Sequence, residues 1–298
     1  MISCISSKKI EFQALRPAKV KLESIPDKIY IHCEYCMNPE KMTLLSNSEN
    51  DKAIVSLHFL KSLRENLEKS PIFKNTVFIM CSSDSLLQLL KDYSKRTQEN
   101  AYVILLDSIY LEHSNVIHDY DKSTYYYKII YKLGCRTYDR NSIQIVDNYL
   151  LEDTAYWPPQ VLLKRESSLS PPDNILIETA INAGEDYAHY LAPYWTDETR
   201  IFYSGSKRFN SAYKKLQVNS LDSAFNILQE GGTKYGRKMT NRKFHNMAVI
   251  YELKDDLKNA YSMADSANTI RKTQADNIYL EELRTRKLDK TALDWQIN

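Results

Sequence analysis

Few residues in this 298-residue chain have both the type and the spacing to do chemistry. Cys33-Glu-Tyr-Cys36 follows directly on His32, and two thiols at this spacing are half of a zinc site or the pair of a disulfide oxidoreductase. A structural zinc needs four ligands, no second CxxC exists, and the pair stands at the end of a strand-like run (28–33), not at a helix start. Packing is therefore the better reading of these cysteines. His113, His118, Asp119 and Asp121 lie within nine residues and have the donor atoms for a cation, but their spacing matches no metal-site class. Gly231 and Gly236 have the offset of a phosphate-binding loop. Arg237 and Lys238 stand where Lys and then Ser or Thr are required, and no strand precedes them, so the glycines read as a helix end and a turn. No GxSxG, HExxH or paired-carboxylate motif occurs, and Asp107 on its strand has no identifiable partner. No catalytic residue, metal or cofactor is indicated, and the chain reads as a non-enzyme.

The strongest pattern is architectural. Over residues 241–267, Asn246, Met247, Ala248 and Tyr251 mark one face of a first helix, and Leu257, Ala260, Ala264 and Ala267 one face of a second. The polar Lys254-Asp255-Asp256 between them suits a tight turn. Asn210, Ala212, Leu221 and Ala224 match Asn246, Ala248, Leu257 and Ala260 at a constant offset of 36, the sign of a helical solenoid built from helix pairs. These residues resemble the tetratricopeptide repeat, lacking only its final proline; the first unit is weaker, with Lys215 in place of an aromatic, and 276–287 would cap the array. The resemblance implies that Asn210 and Asn246 line a groove where they hydrogen-bond a peptide's backbone or terminal carboxylate. Arg242, one turn before Asn246, would supply charge among Lys234, Arg237, Lys238 and Lys243. The plainer alternative is that the asparagines brace adjacent helices and the cations form a solvated face.

Composition sets the frame for both readings. Apolar residues make up 43% and charged residues 26% of the chain, ordinary globular values that exclude a disordered or fibrous protein. The net charge of +2 is unevenly spread: 200–298 carries 18 Lys and Arg against 11 Asp and Glu, which leaves the first 199 residues acidic by five. Such a split fits two domains, and the basic part would steer an acidic protein partner, but it lacks the dense clusters that nucleic-acid binding needs. Five cysteines in a chain of this length are no disulfide framework. No apolar run is long enough to span a membrane. Cys4, after Ile2-Ser3 and before serines and lysines, looks like the lipidation site of a lipoprotein signal whose apolar part lies outside this numbering; a free cysteine in a frayed terminus is the alternative.

Taken in order, 1–22 reads as a tail with short extended pieces, 23–166 as a mixed α/β sandwich domain and 173–298 as an all-α, tetratricopeptide-like domain, an α+β protein overall. Ile54, Leu57, Leu60, Leu63 and Leu67 predict a helix ended by Ser70-Pro71, and Ser83 or Asp84 a cap for a second helix through Tyr93. Alternation from Tyr125 to Cys135, a turn at 138–141 and a run over 143–151 predict an antiparallel hairpin. Residues 167–172 read as a linker, and beyond a helix at 173–190 the chain is expected to resume as helix toward Tyr203.

Over roughly 4–288 the chain is similar to an uncharacterised family of outer-membrane lipoproteins from Bacteroidota. The resemblance is carried by Leu15-Arg16-Pro17-Ala18, Arg136-Thr-Tyr138-Asp139, Ala183-Gly184-X-X-Tyr187-Ala188, Pro193-X-Trp195, Arg200-X-X-Tyr203 and Asn246-Met247-Ala248. It implies a lipidated Cys4 and an envelope location, with the cytoplasm as the alternative, and supplies no mechanism. The expected function is a non-enzymatic envelope lipoprotein that binds a protein or peptide through its helical repeats. The alternatives are a structural subunit of an envelope assembly using exposed strand edges such as that of 143–151, and a ligand-binding or enzymatic α/β domain with the helices as support.

Overall fold

The computed structural model describes residues 6–33, 47–81, 100–119, 124–140, 142, 144–157, 173–230 and 235–297. The expected cap at Ser83 or Asp84, the linker at 167–172, Cys4, Cys36, Asp121, Gly231 and Lys234 lie outside them. The protein is α+β, with strand-rich sheet followed by a run of helices. It divides into two compact units, Ala18–Tyr194 and the pair Met1–Pro17 with Trp195–Asn298. This differs from the boundaries expected from sequence, in which the N-terminal strand stood apart from the helices and 173–191 belonged with them.

In the first unit, strands β2 (Lys28–Cys33), β3 (Val77–Cys81), β4 (Ala101–Asp119), β5 (Thr124–Asp139) and β6 (Gln144–Trp157) form one sheet in the order β3-β2-β4-β5-β6. β2 runs parallel to both neighbours, and its residues from Ile29 to Cys33 are buried, as a central strand covered on both faces requires. β4, β5 and β6 form an antiparallel meander. On β5, Ile129, Tyr131, Leu133 and Cys135 are buried at every second position, as the alternation predicts. A register shift at Asp107 faces Gly134, where the Ser108 hydroxyl and the Asp107 carboxylate occupy the space a Cβ would take.

Helix α1 (Asn47–Glu68) and helix α2 (Asp173–Leu191) close one face of this sheet. α1 buries Val55, Phe59, Leu60, Leu63 and Leu67, while Leu57, expected on the same stripe, is exposed. α2 buries Ile175, Leu176, Ala180, Ala183 and Tyr187, and this apolar stripe, complementary to α1 and the sheet, is why it belongs here. The two helices approach closely: Ser62 donates its hydroxyl to the Ile181 carbonyl at 2.7 Å.

In the second unit, β1 (Ser7–Arg16) pairs with β7 (Tyr194–Tyr203). Ser204 meets Ser6 and Asp197 meets Gln13, so the strands are antiparallel. The expectation of helix toward Tyr203 is thus corrected: from Tyr194 the burial alternates with period two, Arg200 and Phe202 inward, Trp195 and Ile201 outward. Five helices follow, α3 (Lys207–Gln217), α4 (Leu221–Gln229), α5 (Arg237–Leu253), α6 (Leu257–Ile270) and α7 (Gln274–Ile297). Ala212 and Ala224 in the first hairpin, and Ala248, Ala260 and Ala264 in the second, are buried where the helices meet. The 36-residue offset extends to the turns. Asn219 and Asp255 both adopt the left-handed conformation, at φ 55° and 58°, and Ser220 and Asp256 follow as N-caps.

Gly184 measures how tightly α1 and α2 pack. A Cβ there would lie 2.4 Å from the Phe59 carbonyl oxygen and 3.0 Å from the Leu63 backbone nitrogen, atoms that move only with the helix. Gly184→Ala is expected to cost about 1–3 kcal/mol in urea unfolding. Gly236→Ala, with nothing near its Cβ, is expected to stay within about 0.5 kcal/mol.

Candidate functional site

Alternation along β7 turns the backbone polar groups of its odd residues away from β1, and helix α5 meets those of Tyr203 and the Ile201 carbonyl with side chains. Asn246 is fully buried, accepts from the Tyr203 N–H at 2.7 Å and donates to the Tyr203 carbonyl at 2.8 Å. One amide thus replaces the pair of bonds a neighbouring strand would make. His245 lies 3.0 Å from the Ile201 carbonyl through Nε2 and 2.8 Å from Asp276 Oδ1 through Nδ1. Both partners are acceptors, one a carboxylate and one a backbone carbonyl. The Asp276 carboxyl is held below the usual range: burial pushes it up, but hydrogen bonds from His245, Thr273 and Asn241 outweigh burial. Arg242 is almost buried, its guanidinium carbon 5.1 Å from the centre of the Tyr203 ring.

Nearly two turns further along α5, Glu252 gathers four donors. Arg200 Nε and Nη2 each reach its carboxylate at 3.0 Å, Arg286 Nη1 at 2.8 Å and the Tyr279 hydroxyl at 2.9 Å. The Arg200 side chain is only 4% exposed and that of Glu252 fully buried, so each is the other's condition for being there. Arg200 also donates to Glu198 at 2.9 Å and the Thr199 carbonyl at 3.2 Å, and Arg16 of β1 bonds Glu198 and Asp289. Phe12 lies 5.5 Å from the guanidinium carbons of both Arg200 and Arg286. Burial lowers the Arg200 pKa, but the facing carboxylates outweigh it and raise the group above its ordinary value. Burial and then Glu252 push the Tyr279 hydroxyl well up.

The structure therefore brings Arg242 and Asn246 together around Tyr203, but as a clamp on the chain's own strand. Asn210, their counterpart in the first hairpin, is exposed on α3. The repeat offset does not carry over to its environment. Of the neighbouring cations, Arg237 bonds the Ile270 carbonyl and Lys243 the Gln229 carbonyl. Asp107, without an identifiable partner in the sequence, pairs with Arg136. Cys33 is a buried core residue, and His32 Nδ1 lies 3.0 Å from the Cys81 carbonyl. Among the described residues no three His, Cys, Asp or Glu side chains are grouped to hold a metal ion. Arg200, Glu252, His245 and Asp276 went unrecognised as a group because 31 to 52 residues separate the partners. Their one sequence signal was the Arg200-X-X-Tyr203 motif.

Beside this network, a cavity of about 350 Å³ lies between β1 and helices α5 and α7. Phe12, Leu15, Leu253, Leu257 and Leu293 line it, with Trp195 and Ile297 at half exposure and Arg286 and Lys290 among its polar lining.

Two family models match the chain. Residues 90–203 match a domain of unknown function, DUF8603, and residues 210–290 a second, DUF6340. The chain is similar to two uncharacterised domain families. No curated protein matches it. Among solved structures, it is similar to a putative neuraminyllactose-binding hemagglutinin homolog from Helicobacter pylori, with 13% identity, 68% of this chain and 96% of that one covered, and a TM-score of 0.35. It is also similar to the rare lipoprotein B from Shewanella oneidensis, at 10% identity, 64% and 97% coverage and a TM-score of 0.27. A third is PelC, a dodecamer from Paraburkholderia phytofirmans, at 12% identity, 62% and 98% coverage and a TM-score of 0.27.

Glu252→Leu leaves the Arg200 guanidinium buried without its main partner and is expected to destabilise by about 3–5 kcal/mol, with Arg200→Leu/Glu252→Leu recovering part of the loss in chemical denaturation. Asp276 sets a pH dependence. Because its folded carboxyl sits below the ordinary value of about 3.9, its contribution is present above that range and lost as pH falls through it. The difference in urea midpoint between the native chain and Asp276→Asn is expected to shrink from about pH 7 to about pH 3.

Proposed function

We propose that this protein is a non-enzymatic envelope lipoprotein that works as a protein-interaction module, with its helical unit as the scaffold. One observation supports this most directly: α5 grips an extended backbone through Asn246 on both polar groups of Tyr203, which is peptide-recognition chemistry. The tetratricopeptide-like repeat thus uses in cis the kind of contact expected for a foreign peptide. A partner protein engages the surface beside the clamp, where the half-exposed Trp195 and Ile297 border the cavity and Trp295 is exposed on α7. Cys4 carries the lipid that holds the chain at the outer membrane. The basic balance of 200–298 favours an acidic partner.

A photo-crosslinking residue placed at Trp195 in cells is expected to capture a specific envelope protein, while the same residue at the buried Phe202 captures none. Absence of an adduct from Trp195 and from Trp295 would sink the interaction surface. Fatty-acid labelling of the protein expressed from its natural gene, expected to disappear with Cys4→Ala, checks the anchor independently.

A further inference from the structure

β6 is the last strand of the five-stranded sheet, 14 residues long and bonded through its backbone to β5 alone among the described strands. Edge strands usually carry lysines, a proline or a covering element that stops a foreign strand from pairing. β6 carries no Lys, Arg, Pro or Gly, and its only register shift lies at the start, opposite Tyr138. Its two faces differ. Asp147 and Asp153 lie on the helix side, in register with Thr137 and Tyr131, and Asp186 of α2 is close enough to Asp153 to feel its charge. These three carboxylates take part in no ion pair among the described residues; Asp147 accepts from the Tyr190 hydroxyl at 3.0 Å, and Asp153 from the Tyr131 hydroxyl at 3.4 Å and the Thr154 N–H at 2.7 Å. Burial pushes the carboxyls of Asp147 and Asp186 up, outweighing hydrogen bonds from Tyr190 and the Asn148 backbone at the first and the nearby His189 at the second. On the opposite face Leu150 is 61% and Tyr156 56% exposed, and Glu152 between them pairs with Lys132 of β5 at 2.7 Å. Leu150 borders a shallow hollow of about 560 Å³ lined also by Tyr110 and Ile130, with Glu112, Lys132 and Glu152 as its charged lining.

We propose that the β6 edge is a strand-addition site that receives an extended segment of a partner protein, basic on one face and apolar on the other. The backbone of such a segment continues the sheet as a sixth strand. Its Lys or Arg side chains meet Asp147 and Asp153, and its apolar side chains cover Leu150 and reach the hollow. Pairing with a second copy of β6 is disfavoured, because it sets Asp147, Glu152 and Asp153 against the same acids with no cation in either strand. β6 and Trp195 belong to different units, and each proposal rests on its own observations, so failure of either leaves the other standing.

The test uses the full chain and a capped synthetic peptide of alternating Val and Lys, with an alternating Val and Glu peptide as control. Hydrogen exchange of the amides in 144–157 is expected to slow with the basic peptide and not with the acidic one. Leu150→Lys/Asp153→Lys, checked for native circular dichroism, is expected to weaken the effect at least about tenfold. Protection by both peptides alike, by neither, or by raising the protein concentration without peptide would overturn the proposal, the last pointing to self-pairing.

Discussion

The helical unit depends on a charge that cannot be left alone. Glu252 sits in the body of helix α5, out of water, and is tolerable there only because Arg200, Arg286 and Tyr279 supply four hydrogen bonds to its two oxygens. Arg200 arrives on β7, Arg286 and Tyr279 on α7. Satisfying one carboxylate therefore fixes a strand and a helix against α5 at once. Replacement of the whole set by apolar side chains could match the stability, so the value of the network lies in geometry: a bidentate guanidinium accepts one register of β7 and rejects its neighbours.

That constraint explains how a two-stranded ribbon, too small to be stable alone, persists on a helical surface. β1 buries Ala14, and Ile10 packs against the helical core from its inner face. At the end of β7, Asn246 and His245 take up the backbone groups of Tyr203 and the Ile201 carbonyl, so these are not left to pair with another strand. The contrast with β6 is instructive. The end of β7 is met by side chains from a helix, whereas β6 pairs with β5 alone among the described strands and carries Asp147 and Asp153 on one face and the exposed Leu150 and Tyr156 on the other.

Much of the fold was legible in the sequence, for reasons that particular residues show. The hairpin of β5 and β6 followed from a clean period of two, and the helix pairs from alanines spaced for close approach, with Asn219 and Asp255 now shown to set both turns. β7 was not legible, because its pattern is inverted. Charged Glu198 and Arg200 point inward while Trp195 and Ile201 face water, and binary patterning assigns these the other way. Asn246 and Arg242 were found as residues able to hold a backbone, yet their partner is Tyr203 of the same chain, a contact 43 residues away that no local pattern encodes. Asn210 shared the repeat offset but faces no strand.

The central claim is that α5 holds β7 by completing its backbone hydrogen bonds. The exchange rate of the Tyr203 amide tests it most directly, since that N–H points at Asn246 Oδ1 from 2.7 Å in a buried setting. Protection comparable to the core amides of α5, lost selectively in Asn246→Ala, is the expected result. A Tyr203 amide that exchanges as fast as those of the exposed strand β6 would contradict the account.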